Sequence, residues 1–239
     1  MDWDRIWDTL LSSGYGTYIL FVLPALLLSL WAQFKVKSTF HRYSNVQVQS
    51  GLTGEQASLL IQRANGLSVP VTTTAGELTD YYDPSSNAVF LSEPVYARST
   101  VAAVGVAAHE TGHALQHAQA YTPIRVRTAM VKPTQFAATI TPVLLLLGIF
   151  LSLPALIWLG VALFSVSTLF QIVTLPVEFN ASARAVRALQ ASRMLTDEEI
   201  RGVKKVLMAA ALTYVGALAV SLAQLLRLLL LVSGRGRRR

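Results

Sequence analysis

The chain has 239 residues, 53% hydrophobic and 14% charged, with a net charge of +7 and no cysteine. That balance is too apolar for an ordinary soluble domain, and without cysteine there is no disulfide, thiolate metal site or cysteine nucleophile. The basic residues flank apolar segments, so the charge reads as contact with lipid headgroups rather than with nucleic acid.

Residues 1–16 combine Asp2, Asp4 and Asp8 with Arg5, and Trp3, Trp7, Tyr15 and Tyr18 suit a membrane interface. Residues 15–34 carry no charge, about the length of a spanning helix. The start is acidic and no small-residue cleavage site stands out, so this is not a signal peptide. Lys35, Lys37, His41 and Arg42 form a positive flank. By the positive-inside rule the N-terminus is outside and residue 35 onward is cytoplasmic.

Residues 44–98 read as soluble. Thr53 and Gln56 predict a capping box, and Asn65-Gly66 ends the helix that follows. Val69 to Thr72 suits a short extended segment. Leu78 to Tyr82, Asp83-Pro84-Ser85-Ser86-Asn87 and Ala88 to Ser92 read as strand, turn and strand. This hairpin is either plain scaffolding or, with Ala88 to Ser92 as an edge strand, a place for an extended peptide to pair.

Ser99 or Thr100 can cap the next helix, which runs to about Ala120 before Thr122-Pro123. It carries His109-Glu110-Thr111-Gly112-His113. Residues i and i+4 share one helical face, so His109 and His113 can turn two imidazoles toward one Zn²⁺. Glu110 stands where its carboxylate can take a proton from a water on that metal. Three of the four histidines fall between His109 and His117. A third ligand is still needed. A His six residues after His113 is excluded, since Gln119 stands there and Gln116 replaces the glycine of that pattern. His117 lies too far along the same helix and reads as a surface or supporting residue.

Arg125, Arg127 and Lys132 form a second basic flank, and residues 136–175 carry no charge. That is right for two spans, about 136–152 and 155–175, with a break near Ser152-Leu153-Pro154. Glu178 follows, read as lying in the opening turn of a new helix after Pro176. It is the only acid between Glu110 and Asp197. Two crossings separate it from His113, so both lie on one face of the bilayer, and it is the candidate third ligand. The rival reading is a carboxylate favoured by a helix N-terminus. Arg184, Arg187, Arg193, Arg201, Lys204 and Lys205 again indicate the cytoplasm. Thr196 and Glu199 predict a second capping box. Residues 206–232 are apolar but for Arg227; if they span, Arg235, Arg237, Arg238 and Arg239 fall outside, against the charge rule.

From Leu78 to Ala185 the chain resembles the YugP-like neutral zinc metallopeptidases, a family of bacterial membrane proteins, and more broadly HtpX-type membrane peptidases. The resemblance rests on Asp80-Tyr81-Tyr82-Asp83-Pro84, on Val89 to Tyr96, on Val106 to Gln116 and on Leu175 to Ser182. It implies His109, His113 and Glu178 as ligands and Glu110 as base. Relatives often carry an Asp shortly after the ligand Glu, able to orient a zinc histidine; here Asn180 and Ser182 stand nearby.

The expected fold is a mainly α membrane protein with a zincin-like His-Glu-x-x-His helix, a small β-hairpin and about four transmembrane helices. Its expected divisions are an N-terminal anchor (1–35), a cytoplasmic zincin-like region (36–135), a transmembrane hairpin (136–175), a third-ligand helix with a basic segment (176–205), and a hydrophobic segment with a basic tail (206–239). The expected function is a membrane-anchored Zn²⁺ metalloendopeptidase whose site faces the cytoplasm and acts on unfolded or membrane-adjacent peptide or protein segments. Tyr81, Tyr82, His117 and Arg184 are candidates for stabilising the oxyanion. The rival is a membrane scaffold or chaperone-like protein with a closed, structural zinc site. An ion or zinc transporter ranks last, because spans 15–34 and 136–175 hold no ionisable residue.

Overall fold

The computed structural model describes residues 14–236. Asp2, Trp3, Asp4, Arg5, Trp7, Asp8 and the last three arginines lie outside them. A short turn, Gly14–Thr17, and a π-helical turn, Tyr18–Val22, lead into α1 (Leu23–Tyr43). Then follow α2 (Gly54–Ala64), β1 (Val71–Thr74), β2 (Tyr81–Asp83), β3 (Ala88–Ser92), α3 (Glu93–Ala97) and α4 (Val101–Ala118). Three long helices complete the chain: α5 (Thr122–Phe150), α6 (Pro154–Ser192) and α7 (Asp197–Gly236). The chain divides into two compact units, one of residues 1–31, 126–174 and 213–239, the other of residues 32–125 and 175–212.

The first unit is helical and apolar. Among the described residues of the whole chain, four helices are long and apolar enough to cross a membrane: Tyr15–Tyr43, Thr122–Phe150, Pro154–Ser192 and Asp197–Ser233. Large apolar side chains such as Leu30, Leu146 and Phe150 stand exposed, as a lipid-facing surface requires. The hairpin turn falls where the sequence breaks: Ser152 takes φ +54° and the Leu153 N–H donates to Gly148 O at 2.9 Å. Within the bundle Thr168 and Ser221, both buried, share a hydrogen bond of 2.8 Å. In a span, polar side chains find partners on neighbouring helices.

The second unit holds the sheet and α4. Strand order is β1-β3-β2, with β1 parallel and β2 antiparallel to β3. The predicted hairpin is present, joined by a third strand. Asp83 closes its turn, accepting from the backbone N–H groups of Ser85 and Ser86, and Asn87 takes φ +50°. Both capping boxes form. Thr53 Oγ1 accepts from Gln56 N at 3.2 Å and Thr196 Oγ1 from Glu199 N at 3.3 Å, each with the reciprocal bond. Glu199 also accepts from Gln49 N, tying the start of α7 to the segment before α2. Thr100 Oγ1 caps α4 through Ala103 N. One core cluster joins α2, α4, α6 and α7 through Ile61, Val104, Leu115, Leu189 and Val203; a second seats Val89, Leu91 and Val95 against Ala107 and Ala114 of α4.

Two expectations are corrected. Ala88 to Ser92 is not an edge strand: β3 is central, paired on both sides, and four of its five residues are buried. Its apolar run, Ala88-Val89-Phe90-Leu91, suits a strand covered on both faces rather than one half-exposed at an edge. Nor does a new helix open after Pro176. Pro176 lies inside α6, so Glu178 sits in mid-helix. A proline forfeits one backbone bond, but a helix leaving a long apolar run has strong reason to keep the rest. This also removes the reading of Glu178 as a helix N-terminal carboxylate.

Candidate metal centre

Helix α4 is rich in alanine and buried over most of its length, so it threads the interior of the second unit. His109 and His113 stand one turn apart, their ring centroids separated by 4.8 Å. From α6, Glu178, only 1% exposed, brings Oε2 to 3.3 Å from His109 Nε2 and 3.5 Å from His113 Nε2. Among the described residues these three form the one group of His, Asp and Glu side chains able to hold a metal ion, with ligand atoms within 4.8 Å of one another. Ligands at zinc distances of about 2.0–2.1 Å in a tetrahedron stand about 3.3 Å apart, close to the two nitrogen–oxygen separations here.

The surrounding bonds show why a cation fits. Gln116 Nε2 donates to Val177 O at 2.8 Å and to Asn180 Oδ1 at 3.0 Å, so the amide oxygen faces His113 Nδ1 at 3.0 Å. That oxygen only accepts, so Nδ1 carries the proton. In the neutral imidazole this leaves a lone pair on Nε2, facing the carboxylate of Glu178. Two buried acceptors face to face repel unless a cation lies between them. Ser182 Oγ stands 3.1 Å from His109 Nδ1 and can fix the other ring in the same sense. Asn180 and Ser182 are thus both linked to the two rings, Ser182 bonding His109 directly and Asn180 reaching His113 through Gln116.

The two helices meet closely. A Cβ on Gly112 would lie 2.7 Å from Ala181 O, closer than real Cβ atoms come to a carbonyl. The glycine between Glu110 and His113 is what lets α6 carry Glu178 up to the histidines. Thr111, on the other side of α4, bonds Ser58 of α2 at 2.7 Å and so sets the rotation of α4 about its axis.

Glu110 is buried, and burial raises its carboxyl to about 7. His109 acts against that rise, Glu178 and Asp80 add to it, and a hydrogen bond from the backbone N–H of Tyr82 acts against it. Asp80 accepts from Ser92 N at 2.7 Å and from Ser92 Oγ, pinning the approach to β2 onto the end of β3. Burial raises the Asp80 carboxyl too, against those bonds.

His117 lies outside the metal group; its ring packs on Tyr82 with centroids 5.3 Å apart. Tyr82 Oη donates to Asn87 at 2.7 Å, and Tyr81 stacks on Phe90 at 4.7 Å. Arg184 donates to Asn180 Oδ1 at 2.7 Å and to Gln119, which commits its guanidinium to bracing the metal group's supports. The residue that sequence reading passed over is Gln116, which entered only to exclude a ligand pattern. Its signal was position: three residues after His113, it shares that residue's face of α4.

The family model described as "Putative neutral zinc metallopeptidase" matches residues 18–233. The chain belongs to that family. It is similar to the protein named "Putative membrane protease YugP" of Bacillus subtilis (strain 168), with 47% identity over 220 residues, covering 91% of this chain and 98% of the relative. No solved structure matches. As a member of a zinc metallopeptidase family with four apolar helices, the chain is a membrane protein whose metal is zinc and whose substrates are peptides or proteins.

Proposed function

We propose that the chain is a membrane-anchored zinc metalloendopeptidase in which His109, His113 and Glu178 hold the ion and Glu110 is the general base. The observation that carries this is the convergence of two Nε2 atoms from α4 and Glu178 Oε2 from α6, His109 and Glu178 being 69 residues apart in sequence, with the His113 proton turned away toward Gln116. A bound zinc ion supplies Lewis acidity to a peptide carbonyl and to water. Glu110 accepts the proton of the attacking water on its carboxylate and delivers it to the leaving amine nitrogen. The Tyr82 N–H steadies that carboxylate. Gln116 and Ser182 hold the imidazoles in the tautomer that leaves Nε2 free for metal.

With β3 internal, the sheet offers β1 and β2 as edges. Of these, β2 borders the site, since Tyr82 reaches Glu110 through its backbone and His117 through its ring. An extended peptide pairing with β2 would pass Glu110, which favours unfolded or membrane-adjacent segments over folded domains. The basic flanks at Lys35 to Arg42 and at Arg184 to Lys205 support a cytoplasmic site. The structural-zinc alternative needs a fourth protein ligand, and the packing of His117 on Tyr82 speaks against it.

The test is Glu110→Gln in the full chain. It should keep its zinc and lose about 10²–10⁴-fold in turnover, because only the proton acceptor is gone. Proteomics of membrane fractions should show the same polypeptides accumulating in Glu110→Gln cells as in cells lacking the protein. Cleavage at near wild-type rate would overturn the assignment of the base.

A further inference from the structure

On the second unit, α1 and α7 enclose a groove of about 550 Å³ that the proposed peptidase chemistry does not use. Lys35 and Arg42 from α1 and Lys204 and Lys205 from α7 line it, with Met208 and Leu212 among its apolar residues. All four cations are exposed. No carboxylate among the described residues forms an ion pair with any of them. Four like charges around one cavity repel one another, and an anion seated among them relieves that repulsion.

Position along the helices says what kind of anion. Lys35 is the first charge after the uncharged run 15–34, and Lys205 the last before the uncharged run 206–226. Both helices pass between charged and apolar sequence at this groove. Met208, 56% exposed, and Leu212 lie on the apolar side of that border. A ligand matching the groove carries a phosphate for the lysines and hydrocarbon for the methionine and leucine. We propose that this groove between α1 and α7 binds the phosphate of an anionic glycerophospholipid, with an acyl chain along Met208 and Leu212.

The consequence reaches α4. Just beside the groove, Val203 and Leu207 pack into the core cluster that holds Val104 and Ala108 of the zinc-helix candidate, and Val206 into the cluster with Ala107. A lipid in the groove would tie α1 to α7 at the level where α7 supports α4.

Native mass spectrometry of the purified full chain in detergent tests this, with phosphatidylglycerol, phosphatidylcholine or inorganic phosphate added singly. Wild type should retain one phosphatidylglycerol in preference to phosphatidylcholine. The triple variant Lys35→Gln, Lys204→Gln, Lys205→Gln should bind it about 100-fold more weakly, at about fivefold per cation. The control Lys37→Gln, Arg125→Gln, Lys132→Gln removes as many charges from the basic flanks without touching the groove, and should bind as wild type. Equal loss in both triples would reduce the effect to diffuse surface charge and overturn the site. So would undiminished binding in the first triple. Saturable binding of inorganic phosphate, lost in the first triple, without retention of phosphatidylglycerol would make the occupant free phosphate and overturn the lipid assignment.

Discussion

At the scale of single residues, the proposed ligands and their supports are not equally legible. His109, Glu110 and His113 follow from helical spacing alone. Glu178 followed from membrane parity and the scarcity of acids. Gln116 could not be read that way, because its role depends on the α6 atoms Val177 O and Asn180 Oδ1 that orient its amide. Gln116→Leu should lower zinc affinity by about 10–100-fold, since it frees the His113 ring from the side-chain acceptor of its Nδ1. Competition against a chelator of known affinity checks this. An affinity equal to wild type would mean that packing alone orients His113. Ser182→Ala should cost less, because the hydroxyl makes a single bond to His109 at a partly exposed site.

At the scale of elements, local signals did well and long-range pairing did less well. Capping boxes, the Asp-Pro-Ser-Ser-Asn turn and the break at Ser152 are written in neighbouring residues. That β1 pairs beside β3, making β3 internal, depends on residues 71–74 meeting residues 89–92. Pro176 misled because a proline so often begins a helix, whereas here a membrane helix runs through it. The close approach of α4 and α6 gives an element-scale prediction. Gly112→Ala must push the two helices apart at Ala181, costing about 1–3 kcal/mol and separating Glu178 from the histidines. Thermal unfolding and zinc content should fall together. A variant as stable and as zinc-loaded as wild type would show that the approach is not needed.

At the scale of the whole molecule, the four apolar helices among the described residues match the count expected from uncharged runs, although each extends into charged sequence. The fourth is a continuous helix from Asp197 past Arg227, whose guanidinium lies 5.4 Å from the Tyr18 ring centroid, so an aromatic ring partners the charge that interrupts the run. For the proposed orientation, cysteines introduced singly at Ser85 and Ser192 should both be shielded from an impermeant thiol reagent in intact cells and labelled in lysed ones; the chain has no other cysteine. Labelling of only one in intact cells would put β2–β3 and the end of α6 on opposite faces of the membrane.

If α4 and α6 share one zinc ion, the zinc content of the purified full chain reports it without need of a substrate. Wild type should carry about one zinc per chain, and Glu178→Ala, which removes the ligand proposed from α6, should lose it while its far-ultraviolet circular dichroism keeps the helical signal. Undiminished zinc in a folded Glu178→Ala would remove α6 from the metal centre and leave His109 and His113 without the proposed third ligand.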